Sequence, residues 1–459
     1  MMPQINISRL HNFVTESRKL FERYLGELVE IPTVSADPAR EKDILKGAAL
    51  AASYLTEMGA RAELVRTEGY PMILGHFDAS SDDPTLAIYH HLDVQPATPS
   101  SDWLHPPFKF TTTMDGHYLG RGTTDDKGPA LAALFAARFA HEEGIPINIK
   151  FIWEMEEEIG SPHFEAAIRS KSADLHPDSI LVQDDAWISR QKPSITYGIR
   201  GLMTAIMTLT TAERDAHSGL VGGAARNPLA ELCQVISQCL DPLTGRVKIS
   251  GFYDKVRKPT QQELKELEKI DFQICEFKKA HGLRLLRVEE ARRIMLATWY
   301  EPTFEVHGLV GGYPESEIAS VIPHKAEAKI STRLVPDQDP VEIFELVKDH
   351  VARINPEVVV KLDSTLAPYL TEFSGPYAQA AKEAIVFGFN LEPVFIREGL
   401  SIGSVASMQS LWPVPIVLLG LSLPEHGYHA PNEYFDWPQA SGGIKTLVYY
   451  FHRISKGIA

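Results

Sequence analysis

Apolar positions along the chain follow two alternating rhythms. Leu10, Phe13, Leu20, Phe21, Leu25 and Leu28 recur at helical spacing, so a helix is predicted from Ser8, as its cap, to about Val29, with Pro32 beyond its end. A second amphipathic helix is predicted over about Glu41 to Met58, stopping at Gly59. Short apolar runs then predict strands at Arg61 to Val65, Met72 to Gly75 and Leu86 to Tyr89. Asp115-Gly116 between two such runs is a hairpin signal. An alanine-rich helix opens at Gly128-Pro129, where proline suits the first turn, and Ile147 to Trp153 reads as a buried strand. Strands alternating with helices predict an α/β unit with a mainly parallel sheet flanked by helices.

The pattern changes near Pro193. Leu202 to Leu209 alternates less cleanly and reads as a strand of a different sheet, residues 226–299 read as mostly helical and polar, and strands recur near Thr303–Leu309 and Ala326–Leu334. A helix over 341–353 and a strand at Val358–Leu362 complete an expected α+β domain inserted at 198–368. The α/β texture resumes with a helix over about Pro376 to Phe387, strands at Val394–Arg397 and Ile416–Leu419, and a closing helix over about Pro438 to Ile454. Residues 1–197 and 369–459 are thus expected to form one domain.

The 459 residues are 44% hydrophobic and 23% charged, an ordinary globular composition, and the length implies two domains or three. A net charge of -15 without a basic run argues against nucleic acid as a partner. Cys233, Cys239 and Cys275 form neither a metal spacing nor an even disulfide framework, which fits a reducing compartment. The opening residues MMPQINISRLHNF lack an apolar core of signal-peptide length and no run approaches a membrane span, so a cytoplasmic location without membrane partners is expected.

Chemistry gathers where apolar runs end. Ala87-Ile88-Tyr89 leads into His91-Leu92-Asp93 and then Pro96, which delivers an imidazole and a carboxylate at a strand's carboxyl end. Asp93 is close enough in sequence to fix the tautomer of His91, while neighbouring His90 points the other way if the strand persists. Gly120 to Gly128 carries Asp125 and Asp126 between a strand and a helix, Glu154 to Glu158 follows the strand 147–153, Asp184-Asp185 ends another apolar run, and Glu425 to Glu433 carries His426 and His429. Singly, each reads as a solvated acid run, a helix cap or a loop histidine. Together, carboxylates at five strand ends of one scaffold would repel strongly unless cations neutralise them. Mixed histidine and carboxylate ligands suit zinc, with manganese or cobalt as alternatives.

In their order and spacing, His91-Leu92-Asp93, Gly120-Arg121-Gly122 through Asp125-Asp126-Lys127-Gly128, Glu157-Glu158 ahead of Gly160-Ser161, Asp184, and His429 with Asn432-Glu433 resemble the M20 metallopeptidases, and among them the carnosinase-like dipeptidases. The resemblance spans nearly the whole chain. It implies two divalent metals per subunit, with His91 and Asp184 on one, Glu158 and His429 on the other, and Asp125 bridging. It further implies that Asp93 orients His91, that Glu157 is the general base, and that the Asp125–Asp126 bond is cis. A water between the metals would then lose its proton to Glu157 and attack a peptide carbonyl.

In the inserted domain, Asp215 to Gly219 resembles the family's lid segment, which implies that His217 reaches the partner's active site in a homodimer. Arg333 matches the family arginine that grips the substrate carboxylate, and Ser401 lies in a loop resembling the family's carboxylate-pocket loop, with Leu400 in place of a glycine and Gly403 in place of a proline. The expected activity is hydrolysis of dipeptides or short peptides with a free C-terminal carboxylate. The alternatives are an amidohydrolase of N-acyl amino acids and a non-catalytic peptide-binding protein.

Overall fold

The computed structural model describes residues 5–97 and 102–456. The chain divides into two compact units, one of Met1–Tyr197, Thr371–Ile396 and Ile402–Ala459, the other of Gly198–Leu370 with Arg397–Ser401.

The first unit is built on a mixed sheet. At its centre Asn148–Glu154, Thr85–His91, Ser179–Val182 and Ile416–Leu418 lie side by side and run parallel. Met72–Phe77 adds antiparallel beside Asn148–Glu154, Arg61–Val65 adds antiparallel beyond it, and Leu418 pairs antiparallel with Thr196 on the other flank. The parallel part is therefore four strands wide. The six residues joining the two outer strands are too few for a crossover, so they must form a hairpin. Thr85–His91 is buried along all but its first residue, which is why it reads as an unbroken apolar run. It runs two residues further than the apolar run predicts, because His90 and His91 still pair with Trp153 and Glu154. In the interior His90 Nε2 lies 3.1 Å from Gln183 Oε1, while its Nδ1 is buried with no hydrogen-bond partner among the described residues.

Helices Ile7–Val29, Gly128–Glu142, Pro376–Phe389 and Trp437–Ile454 pack on one another in this unit. The first is capped by Asn6 rather than Ser8: Asn6 is extended and its side chain accepts from Arg9 N at 3.1 Å, whereas Ser8 lies inside the first turn. The helix from Pro376 runs on to Phe389, past its predicted end, because Gly388 is a packing residue and Asn390 makes the left-handed stop with φ 56°. A Cβ at Gly388 would lie 2.0 Å from Thr446 Oγ1 and 2.6 Å from the Gly442 carbonyl.

The second unit has a four-stranded antiparallel sheet in the order Glu305–Gly311, Lys325–Leu334, Gly201–Thr210, Val359–Leu366. Helices Pro228–Cys239 and Pro340–Ile354 pack on it. Gly201–Thr210 alternates between buried and half-buried positions up to Leu209, and Thr210 is exposed. Leu202 and Ile206 on its outer face blur that alternation in the sequence. Residues 240–300 hold only short helices, Gln261–Leu267, Ile274–Ala280 and Ala291–Trp299, separated by irregular chain. Among the described residues no helix is long and apolar enough to cross a membrane.

Gly388→Ala should cost about 1–3 kcal/mol through overpacking and lower the thermal midpoint. A melting curve matching the parent protein would contradict the close helix approach.

Candidate metal centre

Four neighbouring parallel strands deliver the acids and imidazoles at their carboxyl ends. His91 closes Thr85–His91, Glu157 and Glu158 follow Asn148–Glu154, Asp184 lies two residues beyond Val182, and His429 lies in the loop after Ile416–Leu418. Asp125 enters from the segment Thr123–Lys127, ahead of helix Gly128–Glu142, and its bond to Asp126 is cis.

Asp125 stands between the two histidines. Its Oδ1 is 2.9 Å from His91 Nε2 and its Oδ2 is 3.0 Å from His429 Nε2. Asp184 Oδ2 lies 4.0 Å from His91 Nε2, and Glu158 Oε2 lies 3.3 Å from His429 Nε2. Two groups of possible ligand atoms result, His91 with Asp125 and Asp184, and Asp125 with Glu158 and His429, each set within 4.8 Å. Asp125 belongs to both.

The supports are buried, except Gln95, which is half-buried. His91 Nδ1 is 3.0 Å from the Asp93 carbonyl and 3.5 Å from its carboxylate, which leaves Nε2 facing Asp125. The Asp93 carboxylate is fully buried and chiefly serves the neighbouring acid turn: it accepts from Glu157 N at 3.1 Å, Glu158 N at 3.0 Å and the Ser35 hydroxyl at 2.6 Å. Gln95 Nε2 donates to Glu158 Oε2 at 2.6 Å.

Charge here is concentrated and poorly solvated. Burial pushes the Asp184 carboxyl up, to about 7, with Asp125 and Glu158 adding to the rise against His91. Burial likewise drives Glu157 well above its ordinary value, helped by Asp184, Glu158 and Asp93 and opposed by His91. Burial opposes charge on His91, yet its contacts with Asp125 and Asp93 and the nearby Asp184 hold its pKa well above the imidazole range. Hydrogen bonds to Asp125 and Glu158 raise His429 to about 10. Raised pKa values on the acids and on the histidines thus have one cause, the crowding of carboxylates in a poorly solvated site. Glu158 Oε1 is buried and has no hydrogen-bond partner among the described residues. An orphaned carboxylate oxygen, two imidazole nitrogens and a shared carboxylate fit a pair of divalent cations.

The three remaining predicted residues lie in the second unit. His217 is exposed, pairs with Val321 in a two-residue ladder, and accepts from Gly219 N at 3.0 Å through Nδ1. Arg333 Nη1 donates to Ser401 Oγ at 2.7 Å, and Ser401 Oγ donates to the Arg200 carbonyl at 2.6 Å. Burial lowers the pKa of Arg333, and burial with the nearby Arg333 charge lowers Arg200 to about 10. Arg200 Nη1 is buried with no hydrogen-bond partner among the described residues. The structure thus brings seven predicted residues together in the first unit and Arg333 with Ser401 in the second.

An α/β unit that gathers histidines and acids around a shared carboxylate defines a metal-dependent hydrolase. Residues 87–453 match the model of peptidase family M20/M25/M40. The chain belongs to this family and is a metallopeptidase. It is 29% identical to the Cys-Gly metallodipeptidase dug1 of Schizosaccharomyces pombe over 98% of this chain and 99% of that protein. It is similar to the crystal structure of human carnosine dipeptidase 1, with a TM-score of 0.84 and 29% identity over 99% of this chain and 100% of that one. It is also similar to the M20 metallo-carboxypeptidase Sso-CP2 of Sulfolobus solfataricus, with a TM-score of 0.87 and 30% identity over 95% and 99% of the two chains.

Sequence reasoning assigned no role to Gln95, Arg200 or Glu433. Arg200 carried no local signal, because the loop that contacts it lies some 200 positions further along the chain. Gln95 and Glu433 sit inside recognised motifs but are non-ligands whose work depends on reach.

His91 and His429 both hold protons at neutral pH without metal, since both pKa values are raised. Metal must displace them, so affinity should strengthen as pH rises from 6 to 8. Titration calorimetry of the metal-free protein with zinc at pH 7, in two buffers of different ionisation enthalpy, should register about two protons released from the histidines and a further fraction from Asp184, whose pKa is raised to about 7. No proton release would contradict the ligand assignment.

Proposed function

We propose that this protein is a two-metal dipeptidase that hydrolyses short peptides with a free C-terminal carboxylate. The observation that carries the reading is Asp125 set between His91 and His429, beside a part-buried Glu157 of raised pKa. The Cys-Gly and human carnosine dipeptidases support the substrate class, since each spans nearly the whole chain. His91 and Asp184 would hold one cation, Glu158 and His429 the other, with Asp125 common to both. Zinc suits the mixed nitrogen and oxygen donors. Cations bound there would polarise the scissile carbonyl and lower the pKa of a water from about 15.7 toward 7.

The side chains do the rest. Glu157 takes a proton from the attacking water on its carboxylate and returns it to the leaving amine. A pKa raised by burial lets it hold that proton between the two steps. Asp93 keeps Glu157 and Glu158 in register through their backbone N–H groups and fixes His91 through its carbonyl. Arg333, held by Ser401, offers a guanidinium fork to the substrate carboxylate.

The active form in this reading is a cytoplasmic homodimer in which His217 serves the partner's centre and donates to the developing oxyanion. The outer strand Glu305–Gly311 supports the dimer, with Val306, Leu309 and Val310 exposed on it. Three free cysteines suit the location.

A panel of dipeptides, tripeptides and N-acetyl or N-succinyl amino acids tests the substrate class. Dipeptides should be turned over, and Glu157→Ala should retain its metals while losing about 10²–10⁴ in kcat. Turnover confined to the acyl compounds would replace this reading with an amidohydrolase. His217→Ala should likewise lose activity with its metals intact, and mixed dimers with Glu157→Ala should regain part of it. Confirmed mixed dimers without any rescue would reject the role across subunits.

A further inference from the structure

We propose that Glu433 is a positioning residue: it fastens the Asp125 segment to the segment bearing His429 and so sets the spacing of the shared-carboxylate centre. The inference rests on the two-metal reading above. Glu433 follows His429 by four residues, and its side chain is fully buried. Its carbonyl accepts from Gly120 N at 3.0 Å, and the next residue, Tyr434, pairs with Leu119. The main chain of 433–436 thus lies beside the strand that leads into the Asp125 segment.

The carboxylate then reaches under that segment. Oε1 accepts from Gly122 N at 3.0 Å, Thr124 N at 3.0 Å and Asp125 N at 3.2 Å. Oε2 accepts from Gly122 N at 3.0 Å and from Arg121 Nη1 at 2.8 Å. Three converging backbone N–H groups form an anion nest, and Glu433 is the anion in it. Gly122 takes φ 88° there, a left-handed turn that suits glycine. Asp125 is therefore fixed at its own nitrogen while its two oxygens face two histidines. Metal geometry tolerates displacements of only about 0.5 Å, so a nest that relaxes spoils both sides of the centre. A glutamine cannot replace the carboxylate. Both oxygens already receive donors, so either orientation of the amide sets an N–H against an N–H.

The test titrates metal-free protein with zinc against a chromophoric chelator, for the parent chain, Glu433→Gln and Glu433→Asp, with circular dichroism and thermal midpoints of each. Glu433→Asp keeps the charge but withdraws it from Thr124 N and Asp125 N, so it carries the test if Glu433→Gln does not fold. The parent should take two zinc ions. A folded variant should bind at least one of them about 10–100-fold more weakly, with kcat reduced and KM near the parent value. A purely structural role would lower the thermal midpoint and leave both affinities within about threefold of the parent, which would overturn the proposal. Failure of both variants to fold would also overturn it in favour of a structural role. Fewer than two zinc ions on the parent chain would sink the two-metal reading itself, and this inference with it.

Discussion

Mutual repulsion among buried and half-buried carboxylates is the constraint on which the rest of the first unit depends. Asp93, Asp125, Glu157, Glu158 and Asp184 crowd one poorly solvated region, with the imidazoles of His91 and His429 beside them. Like charges about 4 Å apart at a typical effective dielectric cost about 4 kcal/mol per pair. Hydrogen bonds relieve part of this: Asp93 is spent on two backbone N–H groups and a hydroxyl, and Glu158 on Gln95. Protonated histidines relieve more, which explains their raised pKa values in the metal-free protein. What remains is a site whose charge is balanced best by divalent cations, and that demand is the source of its chemistry.

The scaffold answers the constraint by division of labour. Parallel strands place single residues at fixed spacing along one sheet edge, and a buried strand end has no freedom to drift. Asp125 does not come from a strand of that sheet. It comes from a tight segment ahead of a helix, secured by Glu433 on one side and by Lys127 on the other, whose ammonium donates to the Leu28 carbonyl at 2.9 Å. Lys127 is wholly buried, and burial lowers its pKa to about 7. Of the candidate ligands, His91 closes a strand, Glu158 and Asp184 follow strand ends within four residues, and Asp125 comes from a clamped loop.

Much of this was legible in the residues. Strand ends were readable because Ala87-Ile88-Tyr89 and Phe151-Ile152-Trp153 are apolar without interruption, a pattern that fits burial on both faces. Ligand candidates were readable because each follows such a run within a few residues, His429 apart. Two kinds of feature were not. Helix ends depend on local geometry, so Asn6 displaced Ser8 as a cap and Gly388 lay inside its helix. Long-range contacts leave no spacing signal: Glu433 is buried for Gly122, Thr124 and Asp125, some 310 positions earlier. The strand 201–210 looked irregular because Ile206 and Leu202 put apolar groups on its outer face.

Locating the metals tests the central claim most directly. Crystals grown with zinc and measured at the zinc absorption edge should show two anomalous peaks about 3.5–4 Å apart, one on each side of the Asp125 carboxylate. One peak should touch His91 and Asp184, the other Glu158 and His429. A single peak, or a pair that leaves Asp125 uncoordinated, would contradict the account.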